Sequence, residues 1–197
     1  TIAPAARNLG ELAELWIDGS GTFTLNGVVN ADATTSTGNG GSINIISAGN
    51  LTINPEYFLS SKGLQGGNIR LQSTSGDVMI HGSLANGATI LSQSLTTQIQ
   101  NPASPIQGGN IELSADFGSI LLQNGARIES QSKSFTEGTA NLGSIILTAQ
   151  DLIRVSGQDS TLTTLGVNGN AGNITLSAPT IEIGDSALIS ASTRGSG

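Results

Sequence analysis

Apolar residues recur along this chain in pairs separated by one position, and the pairs come in sets of three. The clearest set is Gly109-Asn110-Ile111-Glu112-Leu113-Ser114-Ala115, then Gly118-Ser119-Ile120-Leu121-Leu122, then Asn124-Gly125-Ala126-Arg127-Ile128-Glu129-Ser130. Alternation of period two predicts half-buried strands, and the glycines and polar residues that enter each pair predict turns. Sets of the same kind open at Leu15, Ile43, Ile69, Ile111, Ile145 and Ile174, at spacings of 28, 26, 42, 34 and 29 residues.

One such set cannot bury its inward side chains alone. Stacked in parallel, successive sets bury them as continuous ladders, because strands about 4.8 Å apart place equivalent residues on top of one another. The predicted fold is therefore all-β: a parallel β-helix, or solenoid, of three strands per coil and about six coils. The general rule for parallel crossovers makes it right-handed. Leu9, Leu12, Ala13 and Trp16 have helical spacing, which predicts a short capping helix within Ala5 to Trp16. Residues 1–14 are thus a lead-in or N-terminal cap, and 15–197 the β-helix. The chain stops at Ser196-Gly197 with no closing cap, as a segment of a longer array would.

The surplus length of the two longest coils falls after the third strand, at residues 93–107 and 131–142. Both insertions leave from one corner and are expected side by side, and insertions on one face are often the binding face. Pro102 and Pro105 keep the longer one out of a sheet.

Aligning the coils also predicts the outward columns. For the first strand the column is Trp16, Asn44, Arg70, Glu112, Ile146 and Thr175; for the second it is Thr24, Thr52, Met79, Leu121, Arg154 and Glu182. Neither holds two adjacent acids, which disfavours the carboxylate cluster that a polysaccharide lyase or hydrolase on this fold would need. Each instead sets an arginine beside a glutamate, Arg70 with Glu112 and Arg154 with Glu182, as surface ladders worth roughly 0.2–1 kcal/mol each. The Thr24–Thr52 run is too short and too soon interrupted for a regular ice-binding array. Met79, Leu121 and Ile146 are outward apolar residues; with Pro102 and Pro105 they form the expected interaction face, or they lie beneath the insertions.

Composition narrows the rest. Apolar residues make up 37%, charged residues 11% and aromatics 3%, with 27 glycines in 197 residues, which suits a thin elongated core rather than a disordered chain. The net charge of −7, with only seven Lys and Arg and no basic patch, argues against nucleic acid as a partner. No apolar run approaches the roughly 20 residues of a membrane helix, so membrane insertion is not expected. Cysteine is absent, which removes disulfides and thiol chemistry.

No residue pattern carries a reaction or a cofactor. His81 is the only histidine and follows the inward Ile80, so it reads as a surface or turn residue with no triad partner. Asp159, Asn168 and Asn170 lack the alternating ligands of a calcium loop and read as turn residues. The glycine-rich phrases are followed by no Gly-Lys-Ser/Thr and open no helix, so they are corners rather than phosphate loops. Catalytic, cofactor and metal residues are accordingly expected to be none.

The run Gly169-Asn170-Ala171-Gly172-Asn173-Ile174-Thr175-Leu176-Ser177-Ala178, then Ile181-Glu182-Ile183, then Ala187-Leu188-Ile189-Ser190-Ala191-Ser192-Thr193-Arg194, closely resembles the filamentous-haemagglutinin-like repeats of large exoproteins, most of all those of cyanobacteria. The Gly-Gly-Asn-Ile phrases at Gly66 and Gly108 match the same rung pattern, and the resemblance runs from about Gly38 to Gly197. It implies a right-handed β-helix exported by two-partner secretion through an outer-membrane transporter, with an adhesive or structural role outside the cell. The family's secretion-domain motif, of the type Asn-Pro-Asn-Gly-Ile, has only partial counterparts in Asn54-Pro55-Glu56-Tyr57 and Asn101-Pro102-Ala103.

The expectation is a non-enzymatic segment of a secreted fibrous surface protein, acting in adhesion or in extracellular matrix or filament structure. Its partners would be the transporter and a cell-surface glycan or protein. The competing readings are a carbohydrate-active enzyme, and a subunit that self-associates end to end into a filament.

Overall fold

The computed structural model describes residues 7–8, 14–34, 38–83, 89–95, 106–133, 140–141, 143–167 and 169–195, and among them every regular element is a strand. The chain winds as a β-solenoid, each coil giving one strand to each of three parallel sheets. The first sheet runs Glu14–Gly19, Ser42–Ser47, Ile69–Ser73, Ile111–Ala115, Ile145–Ala149 and Ile174–Ser177. The second runs Phe23–Leu25, Leu51–Ile53, Val78–His81, Ile120–Gln123, Leu152–Val155 and Thr180–Ile183. The third has seven strands, from Arg7–Asn8 and Val29–Asn30 through Leu59–Gly63, Ile90–Leu95, Arg127–Lys133 and Thr161–Val167 to Leu188–Arg194. Between the first and sixth strands of the first two sheets the chain makes five turns.

The registers are those that burial demands. Ile43, Ile69, Ile111, Ile145 and Ile174 pair in line, as do Leu51, Val78, Ile120, Ile153 and Ile181 on the second sheet. Val29, Leu59, Ile90, Ile128, Leu162 and Ile189 complete the third. A slip of one residue would turn a whole row into water, so the apolar alternation fixes the pairing. Members of these rows in the middle coils are fully buried. The two ends differ: Phe23 and Leu25 of the first coil are buried, whereas Ile181 and Ile183 of the last are 43% and 53% exposed.

The core also holds a ladder of hydroxyls. Ser61, Ser92, Ser130 and Thr164 stand in one register of the third sheet, two residues beyond the apolar row, and all are buried. Each reaches the glycine corner that leads into the first sheet. Ser61 Oγ donates to the Gly41 carbonyl at 2.7 Å and accepts from Gly67 N–H at 2.9 Å. Ser92 Oγ donates to Gly67 O at 3.0 Å and accepts from Gly109 N–H at 3.1 Å. Thr164 Oγ1 donates to Gly172 O at 2.8 Å. The corner must be glycine, since a Cβ on Gly109 would overlap the Gly67 carbonyl, and one on Gly143 the Gly109 carbonyl.

The helix expected within Ala5 to Trp16 does not form where the chain is described, because Arg7–Asn8 and Glu14–Gly19 are strands. Leu15 and Ile17 turn inward while Trp16 faces out, and pairing with Ser42–Ser47 overrides a weak local helical spacing. The insertions also leave later than residues 93 and 131. Strand pairing continues to Leu95 opposite Lys133, and the chain returns in a small sheet of Ile106–Gln107, Ala140–Asn141 and Gly169–Asn170. The residues between, with Pro102 and Pro105, lie outside the described ones. Polar residues such as Gln93 and Gln131 read as loop, yet their side chains bridge neighbouring coils, with Gln93 Nε2 to Gln131 Oε1 at 2.8 Å.

Candidate functional site

Both outward columns are present, in register, as the alignment of coils predicts. Trp16, Asn44, Arg70, Glu112, Ile146 and Thr175 line up on the first sheet. Thr24, Thr52, Met79, Leu121, Arg154 and Glu182 line up on the second. Met79 and Leu121 are therefore neighbours, but Ile146 belongs to a different sheet, beside Glu112 and Thr175. These three residues do not make one face. Consecutive strands of a coil lie on different sides of the rod, so neighbouring positions in the repeat are not neighbouring surfaces.

The two Arg–Glu pairs differ in a way their spacing does not reveal. Arg154 Nε closes on Glu182 Oε2 at 2.6 Å, a direct charge-assisted hydrogen bond. Arg70 Nε stands 4.0 Å from Glu112 Oε1, close enough for attraction but too far for a hydrogen bond. The Arg70 guanidinium is turned to Gln72, donating from Nη2 to Oε1 at 3.0 Å, and Gln72 in turn reaches Asp116 at 2.7 Å. Arg70 Nε is left with no hydrogen-bond partner, and so is Oδ1 of Asn44 on the next strand. A buried polar atom left unpaired costs about 1–3 kcal/mol, so each such atom calls for an explanation.

Asn44 and Arg70 both line one shallow groove of about 280 Å³ on the first sheet, together with Glu14, Ser42, Asn68, Asn110 and Glu112. Asn68 Oδ1 accepts Asn110 N–H at 2.9 Å, and Asn110 Oδ1 accepts Ser144 N–H at 2.8 Å. These two exposed asparagines therefore staple successive coils with their oxygens, and the group each has left to offer is its side-chain NH₂. Asn68 and Asn110 also border an adjoining polar depression of about 400 Å³, walled by glycine corners and by Gln65 and Gln107. Trp16, 56% exposed, stands beside Asn44 at the head of the column.

His81 is half-buried on the second sheet opposite Gln123. Asp159 occupies an exposed turn with φ 62°, while Asn168 lies outside the described residues. Among the described residues no group of three or more His, Asp or Glu is placed to hold a metal ion, and no helix is long and apolar enough to cross a membrane. The polar groove is not evident from the sequence because its parts come from different coils. The signal was present in the first-strand column, where an aromatic, an amide, a guanidinium and a carboxylate follow one another.

No family model matches the chain, no curated protein matches it, and no solved structure matches it. The fold defines a parallel β-solenoid; what such a rod does must be argued from its surface.

Proposed function

We propose that this chain is a non-enzymatic segment of a secreted, surface-associated fibrous protein, acting in adhesion or in extracellular matrix or filament structure. The observation that carries the reading is the continuous apolar ladder running through the middle coils. Such a ladder stiffens a rod whose three flat faces are free to present side chains along its length. The resemblance of Gly169–Arg194 and of the Gly-Gly-Asn-Ile corners to filamentous-haemagglutinin-like repeats supports the same reading. It adds export through an outer-membrane transporter and a place on the outer cell surface to the proposal.

The geometry of the acids favours this over a carbohydrate-active enzyme. Glu14 and Glu112 share the groove, but three strand spacings separate their strands, about 14 Å. The carboxyl pairs of glycoside hydrolases stand about 5–9.5 Å apart. The test is immunogold labelling of the producing cells with antibodies raised against the folded chain. Label on the outer surface is expected, with adhesion of protein-coated beads to those surfaces; label confined to the cytoplasm would overturn the proposal.

A further inference from the structure

We propose that the first sheet carries a binding site for an uncharged oligosaccharide, laid across the strands from Trp16 to Glu112. The inference rests on the adhesive reading above and supplies it with a ligand class. Trp16, Asn44, Arg70 and Glu112 occupy one outward column on four adjacent strands, a span of about 14 Å at the usual strand spacing. The column offers, in order, an exposed aromatic ring, an amide, a guanidinium and a carboxylate.

That sequence of groups suits a sugar chain. A pyranose ring presents an apolar face of C–H bonds and a rim of hydroxyls that both donate and accept. Trp16, 56% exposed as a residue, supplies a flat apolar platform at one end. Asn44 Oδ1 and Arg70 Nε, an acceptor and a donor one strand apart, lack partners within the protein. Both atoms are buried as the side chains stand, though the residues are only partly buried, so they meet a sugar hydroxyl only where the side chains turn outward. Glu112, 4.0 Å from Arg70 rather than closed upon it, keeps acceptor capacity, and Asn68 and Asn110 add side-chain NH₂ donors along the floor.

The second sheet provides the internal contrast. There the equivalent Arg154–Glu182 pair is closed at 2.6 Å, and the column beside it is Leu121, Met79 and threonine. Charge selects within the sugars. The groove holds two carboxylates, Glu14 and Glu112, against one guanidinium, so sulfated or uronic-acid chains are repelled and neutral ones admitted.

Trp16 is the only tryptophan, so its fluorescence reports this site directly. The folded chain is titrated with cellohexaose, maltohexaose and chitohexaose, and with a heparin hexasaccharide, by fluorescence and by calorimetry. We expect saturable binding of at least one neutral hexasaccharide, tighter than the heparin fragment. Asn44→Ala, and Trp16→Ala read by calorimetry, should weaken binding at least tenfold, while Arg154→Ala on the other face leaves it unchanged. No binding of any neutral chain by either method, undiminished binding in Asn44→Ala and Trp16→Ala proteins of native circular dichroism, or tighter binding of the heparin fragment would each overturn the proposal. Adhesion of beads coated with the Trp16→Ala and Asn44→Ala proteins separates the two levels. Variants that lose sugar binding yet still adhere leave the sugar site and the adhesive reading standing but overturn the link between them; failure of wild-type beads to adhere removes the adhesive reading itself.

Discussion

Ile153 and Ile181 are the same residue in the same apolar row, on adjacent coils, and they should respond very differently to truncation. Ile153 is fully buried, between Ile120 below and Ile181 above. Replacing it by alanine removes three carbons from the core, about 2.4 kcal/mol of transfer free energy at ~0.8 kcal/mol each. The vacated space is enclosed by the ladder, so a cavity term adds to this, and the expected loss is about 3–4 kcal/mol. Ile181 is 43% exposed, so only a little over half of that transfer term applies, and the space left opens to solvent. Its loss should be about 1–1.5 kcal/mol. With a urea m-value of about 2 kcal/mol/M, the midpoint should fall by about 1.5–2 M for Ile153→Ala and by about 0.5–0.75 M for Ile181→Ala. The assay is urea unfolding followed by far-UV circular dichroism, with hydrogen exchange to separate fraying of the last coil from global unfolding. Equal midpoint shifts would refute the reasoning, because they would mean that the last coil is as enclosed as the one beneath it.

Gly109→Ala should destabilise by roughly 1–3 kcal/mol, since its Cβ meets backbone of Gly67 that cannot swing aside, whereas Gly184→Ala, with open space around it, should be neutral or slightly stabilising; thermal melts compare them. Ser92→Ala should lose about 2–3 kcal/mol in urea titrations, because it orphans both the Gly67 carbonyl and the Gly109 N–H inside the core. Glu182→Gln, which breaks a short but half-exposed ion pair, should change stability by less than about 1 kcal/mol, and the difference from wild type should vanish in 1 M NaCl.

Burial and period two made most of the rod legible in advance. Once Ile43, Ile69, Ile111, Ile145 and Ile174 must share one shielded row, the outward partners follow without freedom, and Arg70 falls beside Glu112 and Arg154 beside Glu182. The hydroxyl ladder was harder to see. Ser92 and Ser130 sit at inward positions of their strands, but reading inward as apolar passes over a residue whose buried hydroxyl satisfies a glycine corner. The lead-in misread for a related reason: four apolar residues at helical spacing carry little weight against a free strand edge at Ser42–Ser47 that Glu14–Gly19 can pair. As for the candidate site, the column was readable but its chemistry was not. Whether an Arg–Glu neighbour pair closes at 2.6 Å or stands open at 4.0 Å depends on a third side chain, Gln72, that engages Arg70 alone.

The central claim is that successive coils stack in parallel with equivalent residues in register, across coils of unequal length. The chain has no cysteine, so engineered cysteine pairs report this without background. Met79 and Leu121 are 42 residues apart in sequence but directly opposed on adjacent strands, a Cα separation near the ~4.8 Å strand spacing that a disulfide can bridge. Met79 and Arg154 are two spacings apart, about 9.6 Å, beyond a disulfide's reach. Under mild oxidation the Met79→Cys/Leu121→Cys protein should form its intramolecular disulfide readily and the Met79→Cys/Arg154→Cys protein should not; the reverse preference, or failure of the first pair in a folded protein, would contradict the stacked-coil account.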